Sequence, residues 1–293
     1  MAATLLNRSV SLLLVPYFLA HAREGMGKGP EKFLTAGASK ELERLGHSVG
    51  VITIRRDAEE NDELAAVVEV NAKLAAQVRS ATEKGSFPLV LAGTCNSCLG
   101  TLAGLGERNI GVVWFDAHGD FNTPATSPSG FLDGMALAMA AGLCHDELAQ
   151  SIGLITPVPL SQILHLGGRD FDSLEREALQ HSKVQVITAL EMQQAGGAAA
   201  VAPALEKLRE HVHDIYLHVD IDVLNSEQYP ANEFPAPGGL ALEELIRMVR
   251  LTGENFSVCA AALTAYNPQF DPEGKTLRAG LQVLRTIGEL LPK

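Results

Sequence analysis

One short stretch constrains this chain more than any other: an apolar run that ends in side chains able to hold a metal. Ile110 to Phe115 reads Ile-Gly-Val-Val-Trp-Phe and leads straight into Asp116-Ala-His118-Gly-Asp120-Phe-Asn122. A run this short, apolar and β-branched predicts a strand buried on both faces. Three potential ligands follow at once where the strand ends. About a hundred residues on, Tyr216 to Asp222 repeats the device as Tyr-Leu-His-Val-Asp-Ile-Asp. Period-two alternation puts His218, Asp220 and Asp222 on one face there. Two parallel strands ending side by side would bring His118 together with the carboxylates of Asp116, Asp120, Asp220 and Asp222. Four carboxylates cannot sit together ionised without strongly raised pKa values or bound cations. An oxygen-rich set with imidazole suits Mn²⁺ ahead of Zn²⁺, Fe²⁺ or Co²⁺.

Apolar runs alternate with helical patterns along the rest of the chain. Strands are predicted at 9–18, 48–54, 87–92, 110–115, 163–166, 184–187, 215–219 and 256–263. Helices are predicted at 31–45, 62–84, a segment ending near 105, 134–142, 147–152, 172–180, 198–211, 241–251 and 276–291. In 62–84, Leu64, Val67, Val68, Val70, Leu74 and Val78 fall at helical spacing, and Pro30 sits where a helix starts. Repeated β-α order over 1–293 predicts one α/β domain, three-layer α-β-α, with a mainly parallel sheet of about eight strands. Ligands of such sheets bind outside the carboxyl ends of the strands, and both acidic clusters fall there. The long loops 122–133 and 223–239 adjoin the clusters, as active-site loops do.

Composition narrows the partners. The 293 residues carry a formal net charge of −12 and are 46% apolar. That is core enough for a large domain, and too acidic to favour nucleic acid. No apolar run reaches about 18 residues, so no membrane span is expected. Cys95, Cys98, Cys144 and Cys259 suggest no disulfide framework, which makes a reducing cytoplasm the expected location. Residues 11–20, after Asn7-Arg8 and running into Ala-His-Ala, have some features of a signal peptide, but Pro16 interrupts the apolar core and the segment is read as the first strand. There is no Gly-x-Gly-x-x-Gly after a strand, no P-loop and no Gly-x-Ser-x-Gly.

Asp116-Ala-His-Gly-Asp120-Phe-Asn122-Thr-Pro, with Asp220-Ile-Asp222 and Pro237-Gly-Gly-Leu240, resembles the ureohydrolase family of arginase, agmatinase and formiminoglutamase. Gly27-Lys-Gly-Pro30-Glu, Gly168-Arg-Asp-Phe-Asp172 and Asn267-Pro268 extend the resemblance over nearly the whole chain. It implies an arginase-like fold and a binuclear manganese hydrolase acting on a small linear guanidine or amidine. The products would be urea, or a substituted urea, and an amine. It further implies that Asp116 and Asp220 bridge two ions, that His118 and Asp222 complete one site, and that Asp120 binds the other ion and passes protons. Asn122, Ser129, Asp170 and Asp172 are implied around the substrate, although Asp172 is equally placed to cap the next helix. Glu175 reads as a first-turn helix charge, His218 as a support that orients ligands, and His21, His47, His145, His181, His211 and His213 as surface or loop residues. A homo-oligomer, trimer or hexamer, is expected.

Three departures from the family pattern bear on activity. Where the family carries Gly-Gly-Asp-His-Ser, this chain has Gly93-Thr94-Cys95-Asn96-Ser97. Asn96 thus stands in for the histidine ligand of the second ion, and an amide oxygen is the weaker ligand. That site is weakened, completed by water, or helped by Cys95. Cys95-Asn-Ser-Cys98 at a helix start is open to three readings: two small buried residues, a redox pair, or a thiolate beside the metals. Asp133 replaces a histidine thought to shuttle protons, and Ala265 replaces the glutamate that pairs with the guanidinium. An amidinium buried without a carboxylate is costly. Either Asp133 or Glu233, the latter in the loop after the second cluster, supplies that charge, or the substrate is less basic, such as N-hydroxyarginine. Some family members that act on N-hydroxyarginine share the missing histidine. The alternative is a non-catalytic or regulatory member that keeps the fold and one metal through Asp116, His118, Asp220 and Asp222.

Overall fold

A computed structural model describes residues 8–57 and 62–291. Eight strands form one sheet: β1 (Ser9–Val15), β2 (Ser48–Thr53), β3 (Phe87–Ala92), β4 (Ile110–Phe115), β5 (Ile163–Leu166), β6 (Gln185–Ile187), β7 (Asp214–Asp220) and β8 (Ser257–Thr264). Their order is β2-β1-β3-β8-β7-β4-β5-β6, and every neighbouring pair is parallel. This is the three-layer α/β architecture expected from the β-α alternation. No helix among the described residues is long and apolar enough to cross a membrane.

Strand β4 shows why the layers form. All six of its residues are buried. Ile110, Val112 and Trp114 join the apolar cluster on one face of the sheet, while Val113 and Phe115 join the cluster on the other. Burying each large side chain contributes about 1.5–3 kcal/mol, so both faces must be covered. Helices Glu63–Glu83 and Ser97–Leu105 cover the first face. Leu242–Asn255 and Lys275–Leu290 cover the second. A charge introduced at Val113, which is fully buried, would have no partner in either layer.

Differences from the sequence expectation have local causes. The first strand ends at Val15, because Pro16 has no N–H for the ladder; Tyr17–Phe18 then pairs with His21–Ala22 in a separate two-stranded hairpin. The helix expected over 31–45 is two helices, Gly29–Thr35 and Ala38–Arg44, broken at Gly37 with φ +107°. Helix Ala189–Ala195 went unrecognised, although Thr188 and Glu191 form a capping box at its start. His47, expected at the surface, is buried with Nε2 within 2.9 Å of the Gly288 carbonyl oxygen.

The topology positions the site. Strands β4 and β7 are neighbours, with Phe115 paired to Val219. Asp116 and Asp220 therefore arrive at the same level, where the two strands end.

Candidate active site

Main-chain geometry at the strand ends aims the carboxylates. Asp116 accepts from the backbone N–H of His118 at 2.7 Å through Oδ1 and from the Trp114 indole at 2.9 Å through Oδ2. Asp220 Oδ1 accepts from the backbone N–H of Asp222 at 2.8 Å. Each cluster thus uses the same turn, a carboxylate hydrogen-bonded two residues ahead, which local Asp chemistry favours. Asp222 is tied across the strands by the N–H of Ala117 at 3.3 Å and by Asn232 Nδ2 at 3.2 Å. His118 Nδ1 lies 3.3 Å from Asp222 and 3.5 Å from Asp116. Asp120 sits in the left-handed region with φ +49°, a strain of about 1–2 kcal/mol for a residue other than glycine. Its main-chain carbonyl accepts from the N–H groups of Leu137 and Ala138, and that anchors the turn.

His118, Asp120, Asp220 and Asp222 line one cleft of about 770 Å³, counting the space open to solvent at its mouth. Asp120, Asp220, Asp222 and Asp133 face it from the floor. Asn122, Ser129, Asp170 and Asp172 lie on the same wall-to-rim path. Asn122 Nδ2 donates to Asp172 at 2.9 Å, and Asp172 also occupies the N-cap of helix Ser173–His181. Phe131 and Phe234, with ring centroids 5.3 Å apart, flank the mouth. Ala265 forms part of the wall, 3% exposed and with φ +63°. Glu233 is half-buried outside the lining, and its carboxylate accepts from Asn267 Nδ2 at 3.0 Å.

Asn96 and Cys95 divide differently from their order in the motif. Cys95 lines the cleft, and its thiol donates to Asp220 Oδ2 at 3.0 Å. Asn96 is buried behind it with Oδ1 accepting from Thr94 Oγ1 at 3.2 Å. The backbone N–H groups of both residues donate to the Asp133 carboxylate, at 3.2 and 2.9 Å. Cys98 points away, its thiol toward the Ala136 carbonyl at 3.6 Å, and both cysteines are free thiols.

Burial governs the electrostatics. It pushes Asp120 and Asp220 well above the usual carboxylate range, helped by the neighbouring carboxylates, and pushes Asp133 to about 7 against the pull of its two N–H donors. Burial opposes charge on His118, but Asp222 and Asp116 outweigh it and hold the imidazole protonated well above its ordinary pKa. Burial likewise raises Asp222, yet the imidazolium beside it brings the carboxyl down to about 2. One imidazolium against four carboxylates leaves the cluster short of positive charge. The donor set fits divalent cations on two further grounds. Ligand atoms of Asp116, His118 and Asp222 lie within 4.8 Å of one another, and so do those of Cys95, Asp116 and Asp120. Asp120 Oδ2 is buried with no protein hydrogen-bond partner, an arrangement that a cation resolves.

Three supporting residues escaped the sequence reading. Arg169 threads its guanidinium beneath the β7 loop and donates to the carbonyls of Asp222, Val223, Leu224 and Ala236. Glu175 sits in the first turn of its helix, as expected, but is 3% exposed and accepts from the N–H groups of Phe121 and Asp172. Asn232 joins Asp222 to the Ala265 carbonyl. The Gly-Arg-Asp motif was the one available signal for Arg169. Pairings made across the fold hid the other two.

A parallel α/β sheet whose strand ends carry this acid and imidazole cluster offers a ligand set for divalent cations where such folds bind their ligands. A family model described as Arginase family matches residues 8–288. The arginase of Brevibacillus brevis is 32% identical over 292 residues, covering 96% of this chain and 98% of the relative, and that of Bacillus subtilis is 31% identical. The crystal structure of arginase from Bacillus cereus superposes with a TM-score of 0.88 at 29% identity, over 96% of this chain and 98% of that one. The chain belongs to the arginase family, and with it to the amidinohydrolases.

Proposed function

We propose that the chain hydrolyses a C–N bond of a small linear guanidine or amidine whose reacting group is less basic than that of arginine, N-hydroxyarginine being the leading candidate. Urea or a substituted urea leaves with an amine. Asp116, His118, Asp120, Asp220 and Asp222 would hold two Mn²⁺ ions, with Asp116 common to both ligand groups. When bound, such ions lower the pKa of water toward neutrality and so supply the nucleophile.

The remaining work falls to side chains of this chain. Asp120, with one oxygen free of protein partners, accepts the proton of the attacking water and returns it to the leaving amine. Asp133, fixed by the two N–H groups at the start of helix Ser97–Leu105, stands on the cleft floor where it can meet the reacting nitrogens. Asn122, Ser129, Asp170 and Asp172 hold the polar end of the substrate nearer solvent. Phe131 and Phe234 limit water at the mouth, which strengthens the electrostatic contacts inside.

The observation that carries the specificity is Ala265. It stands on the cleft wall where the family places a carboxylate, and Glu233, one of the two acids expected to replace it, is engaged by Asn267 and lies outside the lining. A fully cationic guanidinium desolvated there lacks its usual partner. Urea release should be measured with Mn²⁺-loaded protein on arginine, N-hydroxyarginine, agmatine and guanidino acids. The expected outcome is turnover with N-hydroxyarginine well ahead of arginine. Arginine as the best substrate would refute the specificity. No urea from any compound by fully loaded protein would refute the hydrolase reading and leave the non-catalytic alternative.

A further inference from the structure

We propose that the mouth of the cleft selects substrates whose far end, away from the reacting nitrogens, carries a neutral planar or apolar group where a free amino acid has its carboxylate. The proposal rests on the hydrolase reading above and extends it from the reacting group to the tail. N-hydroxyarginine supplies the reacting group, and its carboxyl-capped derivatives are the better-fitting members of that class.

Three aromatic rings follow one another at the mouth. The centroids of Phe18 and Phe131 are 6.1 Å apart and those of Phe131 and Phe234 5.3 Å apart, both pairs tilted. Phe131 and Phe234 belong to the cleft lining, and the buried Met26 adds a third apolar side chain to it. Phe234 is 39% exposed, so the core leaves it uncovered. Apolar surface left open on a cleft marks where a ligand sits. The rings are also held in place. The hairpin that carries Phe18 is pinned by Arg56, whose backbone N–H donates to Tyr17 Oη at 2.8 Å and whose guanidinium donates to the Ala20 carbonyl at 3.2 Å. The Phe131 N–H donates to Ser129 Oγ at 3.1 Å, and the Phe234 N–H to Asn232 Oδ1 at 2.9 Å. Asn232 also holds Asp222, so one residue fixes both the strip and the floor. A strip fixed before binding loses little freedom when a ligand covers it.

Charge points the same way. Among the described residues that line the cleft there is no lysine or arginine. His118 is the one basic side chain there, and its imidazole is engaged by Asp116 and Asp222. The exposed Asp170 suits a cationic amino group. A carboxylate on the same substrate end would shed water beside these acids and find no cation to replace it. A neutral amide or ring has no such cost; it covers Phe131 and Phe234 and stacks on them at the offsets that aromatic groups favour. The room is there as well. The cleft of about 770 Å³, open space included, falls in the range of about 300–1,000 Å³ that holds drug-sized ligands.

Calorimetric binding and steady-state turnover, both on Mn²⁺-loaded protein, provide the test. Arginine, arginine amide and arginine anilide are the binding probes. N-hydroxyarginine, its amide and its anilide are the substrates. The anilide should bind about 10-fold tighter than the free acid or better, and lead in kcat/KM by a similar factor, with the amide between them. Phe234→Ala should collapse that ratio and Phe234→Tyr should keep it; a ratio of two substrates is unaffected by a loss of folded protein. Equal values for free acid and anilide, a preference for the free acid, or a ratio unchanged in Phe234→Ala overturns the proposal. If Phe234→Ala does not fold, the wild-type ratios decide. Turnover of N-hydroxyarginine without any anilide preference refutes the tail assignment and leaves the hydrolase reading standing. Tighter anilide binding with no product from any compound does the reverse.

Discussion

Replacing Ala265 with glutamate should turn the cleft toward arginine. Ala265 already occupies the left-handed region at φ +63°, so a longer side chain there adds little backbone strain beyond what alanine bears. Its main chain is pinned by the Ala92 carbonyl at 3.3 Å and by Asn232 at 3.0 Å, which keeps the new side chain on the cleft wall. Close charge pairs in desolvated sites couple by about 1.5 kcal/mol or more. The mouth of this cleft is open to solvent, so the low end applies, about 1.5–3 kcal/mol. That corresponds to a rise of about 10- to 150-fold in kcat/KM for arginine. A less basic N-hydroxyguanidine gains less, so the ratio of the two substrates moves by a similar factor. Ala265→Gln, equal in size and uncharged, is the control. Steady-state urea release on both substrates measures the ratio, and thermal unfolding checks that each variant is folded. An unchanged ratio in Ala265→Glu, or an equal change in Ala265→Gln, would refute the electrostatic account of this wall.

Other perturbations test the framework around it. Asp116→Ala and Asp220→Ala should each lose both ions if, as the family resemblance implies, each carboxylate is shared between them; elemental analysis showing two retained ions in either variant contradicts the sharing. Glu175→Ala strands the buried N–H groups of Phe121 and Asp172. At about 1–3 kcal/mol for each unsatisfied group it should lower Tm and kcat/KM while metal content holds; unchanged Tm and kinetics would show that this tie is dispensable. At the surface, the Glu69 carboxylate accepts from the Asp57 N–H, Lys73 and Arg56, and these partners hold it at about 2 against its ordinary 4.5. A lowered folded pKa means the contribution is present above 4.5 and fades as pH falls toward 2. Glu69→Gln should flatten the stability profile over that window in acid unfolding, and an unaltered profile would assign acid sensitivity elsewhere.

Much of this was legible in the sequence because the informative signals are local. The burial of β4 follows from six consecutive apolar residues, and the convergence of Asp116 with Asp220 follows from two strands that each end in an acid. The side chains that finish the site were less legible, since their roles depend on contacts distant in sequence. Asp133 is held by a helix start 37 residues earlier, and Cys95 meets Asp220 across 125 residues. Nothing in the order Cys95-Asn96 indicates which side chain turns inward; the hydrogen bonds from their N–H groups to Asp133 decide it. Helix boundaries failed for a plainer reason. Gly37 adopts a left-handed turn inside an otherwise helical pattern, and apolar spacing is blind to that.

If the carboxylate cluster binds cations and Asp120 moves the proton, hydrolysis of a guanidine or amidine must depend on both. Urea release on N-hydroxyarginine, measured against bound ions per chain in wild type and in Asp120→Asn, tests it most directly. Release should be absent in stripped protein, rise as the second ion binds, and stay near the stripped level in an Asp120→Asn variant that retains at least one ion. Urea released by metal-free protein, or by Asp120→Asn at the wild-type rate, would contradict it.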